Sequence, residues 1–352
     1  MSAVSSTAQG APAGGVDGLD AIMLRGGESL RRRMARTERH LGEVTARAGT
    51  PLASHANATV LAGGKRLRPL LVVLAAESAG GPPPTPDGEE RLVRAAVAVE
   101  LVHSATLVHD DLIDGAALRR GHPTVAAVAG RQLAVATGDL LFSRAFAELA
   151  RNDDAEQLRA LSQASSALAE GELLQREDAY AAHVPVERYL RRCELKTAAL
   201  FEAACRLGAL TAAHGSVELA DALGEFARRI GLAFQMLDDV LDVSGPVERT
   251  GKSRGTDLLD GTVTLPFILA RERDPDLAKL DLASLGAGGG ARGAQDAEAL
   301  CDRIAATGAL DEARERALAV VAEAKAALPA ILPDGRSVLL GLVADAVVER
   351  YR

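Results

Sequence analysis

From about residue 18 to the end of the chain, apolar residues recur at i, i+3, i+4 and i+7 with few interruptions. That spacing turns one face of a helix towards a core. No run alternates apolar and polar residues for more than a few positions, as a half-buried strand would. The pattern therefore predicts a single all-α domain over residues 19–352. Its breaks are short and mostly rich in Gly and Pro: GGPPPTPDG at 80–88, RRGHPT at 119–124, AHVPVE at 182–187 and SGPVERTGKSRG at 244–255. A Gly-rich stretch, LGAGGGARGAQ at 285–295, is expected to form a flexible loop near 283–297. Residues 89–114 and 218–243 are apolar on nearly every face at their centres, so each should be a helix enclosed by other helices.

Composition sharpens this picture. Hydrophobic residues make up 48% of the 352, Ala and Leu dominate, and Trp is absent, a balance that favours helices over sheets. A net charge of −8 argues against a nucleic-acid partner. Cys193, Cys205 and Cys301 lack metal-binding spacing, and their odd number fits a reducing cytoplasm. No uninterrupted apolar run reaches the ~20 residues of a membrane span. Residues 1–18, MSAVSSTAQGAPAGGVDG, have neither the basic start nor the apolar stretch of a secretory signal and read as a disordered leader.

Against that background two acidic clusters stand out. LVHDDLID at 107–114 and LDDVLDV at 237–243 each carry aspartates spaced i, i+1, i+4 near the end of an apolar helix. On a helix Asp110 and Asp114 share a face with Cβ atoms ~6 Å apart, and Asp111 sits beside them. Asp238, Asp239 and Asp242 repeat the arrangement. At an effective dielectric of ~20 two such carboxylates repel by roughly 3 kcal/mol, and burial adds several more per ion. One such cluster could be a solvated helix face. Two, each in an apolar helix, call for protons or cations. Mg²⁺ suits oxygen ligands and is usually held by one or two carboxylates plus substrate phosphates. Two such faces opposite each other would make a cage for Mg²⁺ bridging a diphosphate.

Basic residues gather at the ends of the same helices. GGKRLRP at 63–69 is expected to open a helix with Lys65 and Arg68 on one side of its first turn, where backbone N–H groups also favour an anion. Arg119, Arg120, Lys196 with Thr197, and Lys252 add donors, and Arg can clamp a diphosphate bidentately. Each alone is more often a solvated surface charge; position is what marks them. His103, seven residues before Asp110, lies within about 20° of the same face and can donate to a phosphate, although a lone histidine is as readily a satisfied core residue. His109 points elsewhere and should pack. Phe201 and Phe234 have apolar neighbours and read as core.

Taken in order, GGKRLRP, LVHDDLIDGAALRRGHPT, CELKTAALF, FQMLDDVLD and GKSRGTDL resemble the motifs of the trans-isoprenyl diphosphate synthases (polyprenyl synthetases), of the medium- and long-chain type. Each motif alone is weak, but five in order at similar spacing are specific, and the resemblance covers roughly residues 25–350. It implies an isoprenoid synthase-like bundle of antiparallel helices around a deep central cavity, working as a homodimer. It implies that the six aspartates, Lys196 and Lys252 form the catalytic set. Asp110, Asp114, Asp238 and Asp242 would hold Mg²⁺, three ions per site. Lys65, Arg68, His103 and Arg120 would bind isopentenyl diphosphate. Arg119, Lys196, Thr197, Gln235 and Lys252 would contact the allylic diphosphate or the developing charge. One departure stands out: Thr262 occupies the place where the family commonly has a lysine, just before Val263-Thr264-Leu265-Pro266, so one diphosphate contact is missing.

The implied reaction joins isopentenyl diphosphate to an allylic cation in a water-free apolar cavity, and the released diphosphate takes the proton. Repetition makes an all-trans polyprenyl diphosphate. The small residues Ser104, Ala105 and Thr106 predict an open upper tunnel and a product of C30 or longer, with Ala105 and Thr106 as chain-length positions and a floor from Leu141, Phe142 or Phe146. Release of such a product predicts peripheral contact with a membrane. A short-chain (farnesyl or geranylgeranyl) synthase is the nearest alternative. A terpene cyclase fits less well, because it lacks need for the second diphosphate site that GGKRLRP and Arg119-Arg120 supply. A non-catalytic subunit would tend to lose the aspartates, and a helical scaffold leaves the buried charge unexplained.

Overall fold

The computed structural model describes residues 18–46, 51–181, 183–245, 254–287, 290–332 and 335–349. In chain order it has α1 (Gly18–Arg25), α2 (Gly27–Ala46), α3 (Pro51–Leu61), α4 (Leu67–Ser78) and α5 (Pro86–Ile113). A hairpin of β1 (Leu118–Arg119) and β2 (His122–Pro123) leads to α6 (Val125–Ala129), α7 (Arg131–Ala150), α8 (Ala155–Asp178) and α9 (Val186–Cys193). A single π-helical turn (Glu194–Ala198) joins α9 to α10 (Ala199–Thr211), followed by α11 (Val217–Ser244). Helices Gly290–Ala306, Ala309–Ile331 and Val338–Glu349 close the chain after several short ones. The all-α expectation is met.

α5 and α11 are the axes of the bundle. α5 packs against α2, α4, α7 and α10, and α11 against α10 and Ala309–Ile331. Enclosure explains why α5 is apolar on nearly every face, with Leu92, Val97, Val99 and Leu101 fully buried. α11 differs from that expectation: Leu223, Ala227 and Ile230 are fully buried, but its first half keeps a charged face where Arg228 and Arg229 pair with Glu225. By length and composition α5 is apolar enough to cross a membrane, but 78% of its apolar window is buried against other helices. Both helices start with a built cap. Thr85 Oγ1 accepts from Gly88 N at 3.0 Å with Pro86 in the first turn, and Ser216 Oγ accepts from Leu219 N at 3.2 Å. At their C-terminal ends they carry the aspartates and no basic residue in the last turn, an arrangement that opposes the helix dipole.

Three expected loops or starts differ. RRGHPT is a minimal hairpin, with Leu118 opposite Pro123 and Arg119 opposite His122. Arg120 (φ 52°) and Gly121 (φ 78°) make its left-handed two-residue turn. The stretch expected to be a loop near 283–297 is largely helix, within Leu282–Ala287 and Gly290–Ala306. Its alanines favour helix, and Leu282, Ala297, Leu300, Cys301 and Ile304 bury around it. GGKRLRP does not enter its helix until Leu67, because Gly63 (φ 87°), Gly64 (φ 157°) and Arg66 (φ 48°) hold the chain in left-handed conformations. Lys65 therefore precedes the helix instead of sharing its first turn with Arg68. The three cysteines are free and buried. The expected leader up to residue 17 lies outside the described residues.

α10 crosses α4 at Gly208, where an added Cβ would lie 2.1 Å from the Val72 carbonyl oxygen. Gly208→Ala should therefore force the two helices apart and destabilise the protein by about 1–3 kcal/mol. Guanidinium unfolding followed by circular dichroism checks this, and an unchanged midpoint would remove the close crossing.

Candidate active site

Each acidic triad divides its labour by helical rotation. The middle residue is turned about 100° from its neighbour and into the protein. Asp111 is 6% exposed and accepts from Arg119 Nε at 2.7 Å. Asp239 is 4% exposed; it accepts from the Tyr189 hydroxyl at 2.6 Å and from Gln235 Nε2 at 2.7 Å, and Thr197 Oγ1 donates to Gln235 Oε1 at 2.7 Å. Both are expected to be catalytic; here Asp111 is bonded to Arg119, and Asp239 to Tyr189 and Gln235 and through Gln235 to Thr197. The outer residues Asp110, Asp114, Asp238 and Asp242 are more open. Burial pushes the Asp110 carboxyl up to about 6; Glu172 and Asp114 add to the rise, while Lys196 and Arg119 oppose it. Burial, then the negative charge of Asp257, also raises Asp239 against its two hydrogen bonds.

Among the described residues three cavities adjoin the triads. The one beside Asp111, about 390 Å³, is lined by His55, Leu61, His122 and Val125; of the other two, one takes Asp238 and the other Asp114 with Asp239. The first, about 640 Å³, is lined by Lys65, Arg66, Arg68, Arg119 and Arg120 against only Glu100 and Asp238, with His103 among them. Five cations against two carboxylates make it an anion site. Arg68 is the deepest: its guanidinium lies 5.0 Å from the Phe201 ring centroid, its Nε is buried without a hydrogen-bond partner, and burial lowers its pKa to about 10. Burial and then Arg68, Arg120 and Arg119 hold the His103 imidazole well below its usual range, so it is neutral at pH 7 and keeps one N–H to donate. Arg66 forks onto Glu38 through two bonds of 2.8 Å and reaches Glu100 at 2.9 Å. Arg120 donates to the Gly63 carbonyl, tying the hairpin to the GGKRLRP loop. Phe234, expected in the core, lines this cavity with Leu107, Val343 and Val347, so the C-terminal helix supplies an apolar wall.

The second cavity, about 190 Å³, takes one aspartate from each triad: Asp114 from the first and Asp239 from the second line it with Gln235, Lys196, Thr197, Asp257 and Asp260. Lys196 sits on the π turn, and Gly171 lets α8 approach it, since a Cβ there would lie 2.7 Å from Lys196 N. Its ammonium donates to Glu172, which also accepts from Arg176 Nε at 2.7 Å; Arg176 donates to Asp114 as well. Among the described residues no three His, Cys, Asp or Glu side chains could hold a metal ion by themselves. The all-oxygen donors suit a hard cation that completes its shell with phosphate oxygens.

Of the expected residues, the first cavity collects Lys65, Arg68, His103 and Arg120. It also takes Arg119, expected beside the allylic diphosphate, because Asp111 holds it there. Lys252 lies outside the described residues. Thr262 lines the second cavity, 3.5 Å from Gln175 Nε2. Ala105 is turned about 140° from Asp110 and is fully buried in the core, whereas Thr106 is half-buried and donates to the His103 carbonyl at 2.8 Å. His109 packs on α7, its ring 6.0 Å from that of Phe142 and touching the place a Gly138 side chain would fill. Glu100, Glu172, Arg176 and Tyr189 escaped the sequence reading. The only signal was Glu172 and Arg176 at i, i+4, a spacing shared by many surface pairs.

Asp110 acts against the metal-free fold. Below its ordinary pKa of 3.8 the carboxyl is protonated in both folded and unfolded chains and contributes nothing. Between 3.8 and about 6 the unfolded chain ionises first, and above 6 the whole difference opposes folding. Asp110→Asn should therefore stabilise the metal-free protein at pH 7.5 by up to about 3 kcal/mol, a gain that vanishes below pH 4. Denaturant unfolding of both proteins across that range checks it; a loss of stability at pH 7.5 would contradict the burial argument.

Residues 50–295 match the family described as "Polyprenyl synthetase". The chain is 38% identical over 294 residues to a geranylgeranyl diphosphate synthase of Methanosarcina mazei, covering 82% of this chain and 86% of that protein. It is 36% identical over 296 residues to the octaprenyl diphosphate synthase of Escherichia coli, covering 83% and 88%. Among solved structures, a polyprenyl synthase from Caulobacter crescentus complexed with calcium and isoprenyl diphosphate matches with a TM-score of 0.83 and 33% identity, over 97% of this chain and 99% of that one. Family match, fold and the order of the acidic and basic motifs agree, and the chain belongs to the polyprenyl synthetase family.

Proposed function

We propose that this protein is a Mg²⁺-dependent trans-prenyltransferase that condenses isopentenyl diphosphate with an allylic diphosphate. The observation that carries the reading is the second cavity, lined by Asp114 of one triad and Asp239 of the other with Gln235, Lys196 and Thr197. In the first cavity Lys65, Arg68 and Arg120 bind the diphosphate of isopentenyl diphosphate, and His103 donates its single N–H. In the second, Lys196 and Thr197 orient the allylic diphosphate. Mg²⁺ held by Asp110, Asp114, Asp238 and Asp242 would supply positive charge to the departing diphosphate. Lys196 stabilises the same charge as the allylic C–O bond breaks. Leu107, Phe234, Val343 and Val347 exclude water from the cation, and the double bond of isopentenyl diphosphate attacks it. The proton goes to the released diphosphate. The working unit is proposed to be a cytoplasmic homodimer that meets a membrane surface at product release.

The product proposed is C30 or longer, supported by the small side chains at 104–106. Thr106, on the Asp110 face, is the residue beside the growing tail. A product of C15 or C20 is the second reading, favoured by the full burial of Ala105. Incubation with Mg²⁺, labelled isopentenyl diphosphate and C10, C15 or C20 primers, followed by sizing of the dephosphorylated products, separates them. Chains of C30 and above are expected; a stop at C15 or C20 selects the second reading, and no elongation from any primer rejects the function. Thr106→Phe should shorten the product, and an unchanged length would mean that the tail takes another route.

A further inference from the structure

We infer that Arg176 is a diphosphate-binding residue of the second cavity, held on Asp114 until that carboxylate takes up metal. The inference rests on the reading of that cavity given above. Arg176 stands on α8, four residues after Glu172, and reaches across to the end of α5. It donates to Asp114 there and, through Nε, to Glu172 at 2.7 Å. Glu172 also accepts from the Lys196 ammonium. Carboxylates and cations therefore alternate in the order Asp114, Arg176, Glu172, Lys196 along one wall.

The outer pair of this chain does little for the fold. The Arg176 and Asp114 side chains are 39% and 32% exposed, and exposed pairs contribute little to stability. Its effect is local: it neutralises a carboxylate that caps α5 against the helix dipole. A cation at Asp114 would repel the guanidinium. Glu172 would still hold its Nε, and the space left within reach is the cavity lined by Thr197, Gln235 and Thr262.

Among the described residues that line this cavity, the cations are Arg176, Arg192 and Lys196. Arg192 is committed elsewhere: it is 3% exposed, donates to the Val263 carbonyl at 2.5 Å and pairs with Asp178 at 3.7 Å. Among the described residues, that leaves Arg176 and Lys196 for a diphosphate. Thr262 brings no charge to the wall, and the side chain 3.5 Å from it is Gln175, the residue next to Arg176. Arg176 thus brings positive charge to the wall beside the uncharged Thr262.

The test compares wild type, Arg176→Met, and Arg176→Met combined with Thr262→Lys. Calorimetry reads the binding of inorganic pyrophosphate with Mg²⁺, and steady-state assays read the KM of each substrate. Arg176→Met should weaken pyrophosphate binding about 10- to 100-fold, as the loss of a charge-assisted hydrogen bond does, and raise the allylic KM to match. The KM for isopentenyl diphosphate should stay within about twofold, because the first cavity is untouched. The lysine at 262 should restore most of the loss. Unchanged pyrophosphate affinity, an equal rise in both KM values, or a double variant as weak as the single one would overturn the inference. Pyrophosphate binding is read without a primer, so a wild-type protein that failed to elongate would reject the proposed function and leave this result standing.

Discussion

Negative charge at the C-terminal ends of α5 and α11 is the constraint around which this molecule is built. Each helix brings three carboxylates to the end where its own dipole is already negative, and neither has a basic residue in its last turn. Burial adds to the cost, as the raised pKa of Asp110 shows. The helices tolerate this because their long apolar centres are enclosed by neighbours and their N-terminal ends are properly capped. The charge is then managed one residue at a time. Arg119 holds Asp111, Arg176 holds Asp114, and Tyr189 with Gln235 holds Asp239.

The same charge explains why the two cavities differ. The first has five cations and two carboxylates in its wall and can take a diphosphate with protein groups alone. The second has Asp114, Asp239, Asp257 and Asp260 against three cations, one of them committed to Asp178 and a backbone carbonyl. That charge balance suits the proposal that a diphosphate would arrive there with metal cations. The proposed assignment of one substrate to each cavity rests on these opposite signs, with the apolar wall of Phe234, Val343 and Val347 on the first.

Much of this was legible in the chain. The two long helices were readable to within a few residues, because an enclosed helix is apolar all round and needs no partner to be recognised. The triads were readable because clustered acid in an apolar helix has few structural uses. What the sequence hides is direction. The spacing puts Thr106 on the Asp110 face, turns Ala105 and Asp111 away from it and turns Asp239 away from Asp238, but does not say which face meets the core. Lys65 looked helical because left-handed residues at 63, 64 and 66 leave no periodic trace. Glu172 and Arg176 looked like an ordinary surface pair, since Asp114, the partner of Arg176, lies 62 residues away, and Lys196, the partner of Glu172, lies 24 away. The contribution of the C-terminal helix is equally long-range.

A crystal structure with Mg²⁺ and inorganic pyrophosphate would show most directly whether the two triads share metal. Metal ions are expected between the Asp110–Asp114 pair and the Asp238–Asp242 pair, with pyrophosphate in contact with them. Triads left bare, with pyrophosphate bound elsewhere and no ion between them, would contradict the account.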